Sequence, residues 1–248
     1  MIIDFNNKDI LISGATGNLG KSMVNFFSKY NSCIHATSTN YNFVKKFNSS
    51  KKKNKNIKYY YLDFTNDESV NNFLKEIKKL SKIDILINNA GINKIDYIQK
   101  IKISDWKEIQ KVNLTGPYIL TKEISKTMIK RRKGNILNIS SIFGSVGKEK
   151  RSSYSSSKWG LIGLTKSSSL DLAKYNIIVN SLSPGVIASE LSNNILGKKG
   201  INNIIKLIPM NRLAQRQEVV KVIAFLVSSQ NSYITGQNII VDGGYTCG

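Results

Sequence analysis

This chain is poor in the residues that staple small proteins or hold metals: it has two cysteines, one histidine and three prolines in 248 residues. Cys33 and Cys247 lie far apart without metal-ligand spacing, and His35 falls in a strand-like run. All three read as structural, and no metal site is expected. Long apolar runs are missing too. Hydrophobic residues make up 41% of the chain, but no stretch approaches the roughly 18 apolar residues that a membrane-spanning helix needs, so no membrane partner is expected. The N-terminus lacks the basic-then-apolar order of a secretory leader, which points to a cytoplasmic protein.

Acid is the third scarcity. Asp and Glu number 16 against 37 Lys and Arg, a formal charge of +21. Such a surface can attract polyanions. The excess is mostly Lys, however, and it travels with abundant Asn and Ile, which share A/T-rich codons. Nucleotide bias can therefore produce it without a partner. The basic face also lacks the interleaved aromatics of a single-strand binder, and no nucleic acid is expected. The densest run, from Lys45 and Lys46 to Lys58, lies between two strand-like segments and reads as a solvated loop.

The length suits one sizeable α/β domain. Short apolar runs at 8–13, 33–37, 57–62, 83–87, 135–139, 177–182 and 238–241 alternate with helical patterns. That alternation predicts a single doubly wound parallel sheet of about seven strands with helices on both faces. Helices are expected at 18–30, from Asp67, from Ser104 with a break at Gly116-Pro117 and a stop at Gly134, at 152–174 and at 217–228. Ser183-Pro184-Gly185 should end the sixth strand, and the weakly patterned 186–210 segment reads as a substrate lid.

The octet Ser13 to Gly20 joins the first strand to the first helix, where backbone N–H groups and a helix dipole can hold a pyrophosphate. Its position makes Gly14, Thr16, Gly17, Asn18, Leu19 and Gly20 candidate dinucleotide ligands. A second chemical signal is the pair Tyr154 and Lys158. At i and i+4 they share a helix face, so an ammonium can stand beside a phenol that ordinarily holds its proton to a pKa of about 10. Ser141 stands at the end of the fifth strand, able to polarise an oxygen that gains or loses that proton.

The glycine octet, Asp63, Asn88-Asn89-Ala90-Gly91, Asn113, Ser141, Tyr154, Lys158 and the Asn180 to Gly185 run together resemble the short-chain dehydrogenases/reductases in order and spacing. The likeness covers essentially the whole chain. Two departures occur in the loop, Ser13 for the usual Thr and Asn18 for the middle Gly; Asn tolerates left-handed backbone better than most residues. The resemblance implies a Rossmann-type domain and reversible hydride transfer between a nicotinamide and a carbonyl carbon. Tyr154 would exchange the proton, Lys158 would lower its pKa, Ser141 would bind the substrate oxygen and Asn113 would hold a proton path. It further implies that Asp63, Asn89, Ala90, Gly91, Pro184, Gly185, Ile187 and Ser189 line the cofactor. At the end of the second strand no acid grips the ribose hydroxyls; Ser38 and Thr39 stand there, with Lys45 and Lys46 beyond, so NADP(H) is favoured over NAD(H).

Within the family the chain is similar to 3-oxoacyl-acyl-carrier-protein reductases, which implies an acyl-carrier-bound or small carbonyl substrate. The basic 130–133 end is expected near the cleft, facing an acidic carrier. Sugar, polyol and nucleotide-sugar dehydrogenases share the same motifs, and a noncatalytic binding protein on this fold is an alternative of another class. Relatives associate through the helix after Asn113 and the helix carrying Tyr154, so a homotetramer or dimer is expected, with Gly160 and Gly163 allowing close approach.

Overall fold

The computed structural model describes residues 3–51, 54–188, 197 and 200–247. Seven strands, β1 (Asp9–Ile12), β2 (Cys33–Ser38), β3 (Ile57–Tyr61), β4 (Ile85–Asn88), β5 (Gly134–Ile139), β6 (Ile177–Pro184) and β7 (Asn238–Val241), form one sheet in the order β3-β2-β1-β4-β5-β6-β7. Every pairing is parallel. Parallel strands need crossovers, supplied by α1 (Asn18–Phe27), α2 (Tyr41–Ser49), α3 (Asp67–Ile77), α4 (Ile103–Gln110), α5 (Gly116–Arg131), α6 (Ser152–Ala173) and α7 (Arg216–Val227).

Side chains alternate across each strand, so the apolar runs serve both faces. Ile10, Ile12, Ile85, Ile87, Leu137 and Ile139 pack with Met23 and Phe27 of α1 and Val219 and Ile223 of α7. Leu11, Leu86, Ile136 and Val179 point the other way, against Phe73 of α3, Leu120 and Ile124 of α5 and Leu172 of α6. No helix among the described residues is long and apolar enough to cross a membrane.

Several expected boundaries shift. Lys45 and Lys46 are not in a loop but in α2, because the Asn40 side chain accepts from Phe43 N at 2.9 Å and nucleates a helix with Val44 buried beneath it. The break between α4 and α5 is a π-helical turn at Lys111–Thr115, just before Gly116-Pro117, and Pro117 sits where a helix start tolerates it. Arg132, with φ of 50°, terminates α5, while Gly134 already belongs to β5. Strand β6 runs on through Ser183 and Pro184, since the β7 partner continues alongside to Val241. Of the expected lid, Ile187 bridges to Ala214 and residues 200–205 are helical. Ser189 and most of 190–199 lie outside the described residues. His35 is indeed internal, between Tyr60 OH and Asp9 Oδ1 at 3.2 Å each, whereas Cys33 and Cys247 are exposed free thiols.

Candidate active site

Ile12 pairs with Ile87 and Ile87 with Leu137, so the chain leaves β1, β4 and β5 at one level of the sheet. After β1 the chain moves outward to β2 and β3 and then returns to β4 on the other side, which opens a crevice at that edge. The loops bounding it are laced together. Ser13 Oγ accepts from Asn89 N at 2.9 Å and Ala90 N at 3.0 Å, while Asn89 Nδ2 donates to the Ser13 and Gly14 carbonyls at 3.0 and 3.1 Å. Gly14 has φ of +63°, and a Cβ on it would stand 2.8 Å from Ala90 Cα; a Cβ on Gly20 would strike the Gly14 carbonyl and Ala15. Both positions demand glycine.

These contacts leave a cleft of about 570 Å³, lined by Gly14, Thr16, Gly17, Asn18, Leu19, Gly20, Ser38, Thr39, Asp63, Asn89, Ala90 and Gly91. Gly17 caps α1 without a side chain, so the first N–H groups of that helix stay available to an anion. Ser38 is buried, with its Oγ 3.2 Å from Thr16 Oγ1 and accepting from Asn40 N at 3.1 Å. Thr39 is exposed at the mouth. Asp63 Oδ1 accepts from Thr65 N and Oγ1 at 2.8 and 2.7 Å, which fixes the carboxylate at the cleft wall. The size of the cleft, its free helix N-terminus and its glycine floor fit the adenosine diphosphate half of a nicotinamide dinucleotide.

Beyond Gly91 lies the reactive end. A Cβ on Gly91 would stand 3.4 Å from Lys158 Nζ and 3.5 Å from Asn113 Oδ1, so both groups meet at this glycine. Asn113, fully buried on the π turn, does not satisfy its own helix. Its Oδ1 accepts from Ile92 N at 2.8 Å, and its Nδ2 donates to Ile92 O at 2.9 Å and Ser157 Oγ at 3.0 Å. Ser157 Oγ in turn donates to the Tyr154 carbonyl at 2.7 Å. Strand β5 and α6 are joined by Lys158 Nζ donating to Ile139 O at 2.8 Å and Ser140 Oγ donating to Lys158 O at 3.2 Å. Deeper in, Asn88 Nδ2 donates to Asn138 Oδ1 and Asn138 Nδ2 to Thr165 Oγ1, each at 2.8 Å, bracing the sheet.

The electrostatics differ from the expectation in one respect. Burial pushes the Tyr154 phenol above its usual value, and the facing Ser141 hydroxyl and the Arg151 charge pull only partway back. Lys158 Nζ donates to Ile139 O and stands 5.7 Å from the Tyr154 ring centroid. Burial pushes Lys158 down to about 8. Near pH 7 the pair therefore stands as neutral phenol and ammonium, a proton donor beside a cation.

Pro184 and Gly185 end β6, where Gly185 N donates to Val241 O at 2.9 Å. Ile187 follows against Ala214, outside the main cleft lining. The 130–133 end is not near the cleft of its own chain: Arg131 donates to Asp84 Oδ1 and Ile83 O, both at 2.7 Å, beside the start of β4. A crossover helix runs antiparallel to its strands, so its C-terminus falls at the edge opposite the site. Gly160 is likewise spoken for, since a Cβ there would meet Leu114 Cδ2 of the same chain at 2.8 Å; Gly163 is open. Sequence reasoning passed over Thr37, Leu62, Phe64, Thr65, Ile92 and Val112, which also line the cleft. Their signal was adjacency, since each lies within two residues of Ser38, Asp63, Gly91 or Asn113.

A family model described as enoyl-(acyl carrier protein) reductase matches residues 14–246. The 3-oxoacyl-[acyl-carrier-protein] reductase of Rickettsia typhi is 37% identical, covering 98% of either chain. Among solved structures, 4-hydroxyisoleucine dehydrogenase complexed with NADH is 34% identical with a TM-score of 0.90, covering 98% of this chain and 100% of that one. ElxO with NADP bound is 34% identical with a TM-score of 0.88 and the same coverage. With the glycine cradle, parallel sheet and Ser141–Tyr154–Lys158 cluster, these matches establish the class. The chain belongs to the short-chain dehydrogenase/reductase family and is an NAD(P)-dependent oxidoreductase that interconverts ketones and secondary alcohols. Within that family it is similar over nearly its whole length to 3-oxoacyl-[acyl-carrier-protein] reductases.

Proposed function

We propose that this chain reduces the ketone of a 3-oxoacyl group carried on an acyl carrier protein, in the cytoplasm, with NADPH as donor. The observation that carries the reading is full-length similarity to 3-oxoacyl-[acyl-carrier-protein] reductases at 37% identity, combined with the meeting of Asn113 and Lys158 at Gly91 and the stand of Tyr154 beside Lys158. The bound nicotinamide supplies the hydride. The chain's own residues do the rest. Ser141 and Tyr154 hold the ketone oxygen, and the neutral Tyr154 phenol gives it a proton as negative charge develops. The Lys158 ammonium stabilises the phenolate left behind, and Asn113 fixes the loop after β4 against α6. Gly14 to Gly20, Asp63 and Asn89 to Gly91 hold the dinucleotide, with Pro184, Gly185, Ile187 and Ser189 assigned to its nicotinamide end.

NADPH over NADH is supported by the lack of a carboxylate at Ser38 and Thr39. Equal kcat/KM for the two cofactors refutes that preference. A homo-oligomer is supported by Trp106, Tyr118, Trp159 and Leu170, large apolar side chains left exposed on α4, α5 and α6. A sedimenting monomer at micromolar concentration refutes it. The substrate assignment is tested with acetoacetyl thioester and NADPH. Absence of turnover, beside oxidation of a sugar alcohol or reduction of a keto-sugar, transfers the site to polyol or sugar chemistry.

A further inference from the structure

Most arginines near acceptors in this protein use them. Arg131 holds Asp84, Arg212 holds Glu218 with two bonds at 2.8 and 2.7 Å, and Arg132 donates to Lys174 O at 2.8 Å. Arg151 is different. Its Nη1 is buried, yet the guanidinium makes no hydrogen bond or ion pair with any described residue. The side chain is half-buried, and a guanidinium nitrogen shut off from water without an acceptor is costly, so a site that retains one has a use for it.

Its position says which. Arg151 is the N-cap residue of α6: its N–H donates to Lys148 O at 3.2 Å and its carbonyl accepts from Ser155 N at 2.7 Å. Counting along the helix, Arg151, Tyr154 and Lys158 stand at i, i+3 and i+7, one stripe on the face turned to the reactive end. The neighbouring cation is sent elsewhere. Lys150 has φ of 63° and sets its ammonium 4.4 Å from the Tyr97 ring centroid. Arg151 is thus the first residue beyond Tyr154 along the stripe leading away from Lys158, and its charge reaches the Tyr154 hydroxyl.

A guanidinium offers several donors in a planar fork, matched to carboxylate or carbonyl oxygens rather than to hydrocarbon. We propose that Arg151 is a specificity-determining residue that receives a second oxygen of the substrate, borne by the carbonyl or carboxylate group next to the reacting ketone. The site then selects 3-oxoacyl compounds or oxo acids over isolated ketones. This rests on the reading of Ser141 and Tyr154 as the pair that holds the reacting oxygen.

The test uses the full chain with NADPH and three ketones: acetoacetyl-N-acetylcysteamine, acetoacetate and 2-pentanone. In Arg151→Gln the selectivity for the first two over 2-pentanone, as a ratio of kcat/KM values, falls tenfold or more, with most of the loss in KM. A larger fall for acetoacetate identifies a carboxylate as the ligand, and a larger fall for the thioester identifies its carbonyl. Arg151→Lys recovers part of the selectivity. Quenching of intrinsic fluorescence by NADPH establishes that each variant is folded. Equal losses for all three ketones, or no loss, overturn the proposal. If the parent enzyme turns over none of them but accepts keto-sugars, the 3-oxoacyl reading fails separately. Arg151→Gln is then judged on 2-ketogluconate, whose carboxylate adjoins the ketone, against fructose, where an unchanged ratio overturns the proposal and a tenfold fall upholds it.

Discussion

Replacing Asn113 with alanine separates an organising role from a merely interior one. The side chain makes three hydrogen bonds, two to the backbone of Ile92 and one to Ser157 Oγ, and it is itself fully buried. A typical net contribution of about 0.5–1.5 kcal/mol per bond puts the three together at roughly 3 kcal/mol. Ile92 is half-buried, so water regains part of what the alanine variant loses, and a cost of about 2 kcal/mol is expected. At about 2–4 °C per kcal/mol for a chain of this size, the melting temperature should fall by roughly 4–8 °C. Thermal unfolding followed by far-ultraviolet circular dichroism measures this in identical buffer for both proteins. Because the same bonds hold the loop ending at Ile92 beside Lys158, the rise in melting temperature on adding NADPH should also shrink. A melting point within about 1 °C of the parent, with an unchanged NADPH-induced rise, refutes the reasoning: the amide would then contribute neither to the fold nor to the cofactor loop.

Other outcomes follow from single positions. Gly14→Ala puts a Cβ 2.8 Å from Ala90 Cα at a φ of +63°, so cofactor affinity measured by fluorescence titration should fall at least tenfold while the far-ultraviolet spectrum is retained. Lys158, held down to about 8, should make kcat/KM for ketone reduction decline above about pH 8, since the ammonium form is the one that supports proton donation. The sign for stability is opposite. Between about 8 and its ordinary 10.5 the unfolded chain keeps a proton that the folded chain has released, so this group raises the unfolding free energy with pH across that window. Lys158→Met should remove that rise in a denaturant series from pH 7.5 to 10, and its persistence would show that another group is responsible.

The fold was legible because parallel sheets write themselves as short apolar runs between helical patterns. Strand β7 coincides with its expected 238–241 range, and β5 differs by one residue at its start. Errors arose where a polar side chain decides locally. Asn40 capping turns a lysine-rich segment into α2, and a left-handed Arg132 ends α5 before the glycine does. The glycine floor of the cleft was legible from position, since the glycines lie at the first strand-to-helix junction, where the loop packs against the end of β4. What spacing could not convey is the target of a side chain. Asn113 bonds a loop twenty-one residues earlier rather than its own helix, and Lys158 turns to Ile139 O. Nor does sequence show that Arg151 Nη1 is buried without an acceptor. The 130–133 cluster was misjudged because composition gives charge without the direction in which a crossover helix runs.

The central claim is that Tyr154 is the proton donor of a carbonyl-reducing site, and Tyr154→Phe tests it most directly. With NADPH and acetoacetyl thioester, the parent should turn over, and the variant should lose about 10²–10⁴-fold in kcat while NADPH still quenches its fluorescence. Turnover retained within about threefold in a variant that still binds NADPH would contradict the account.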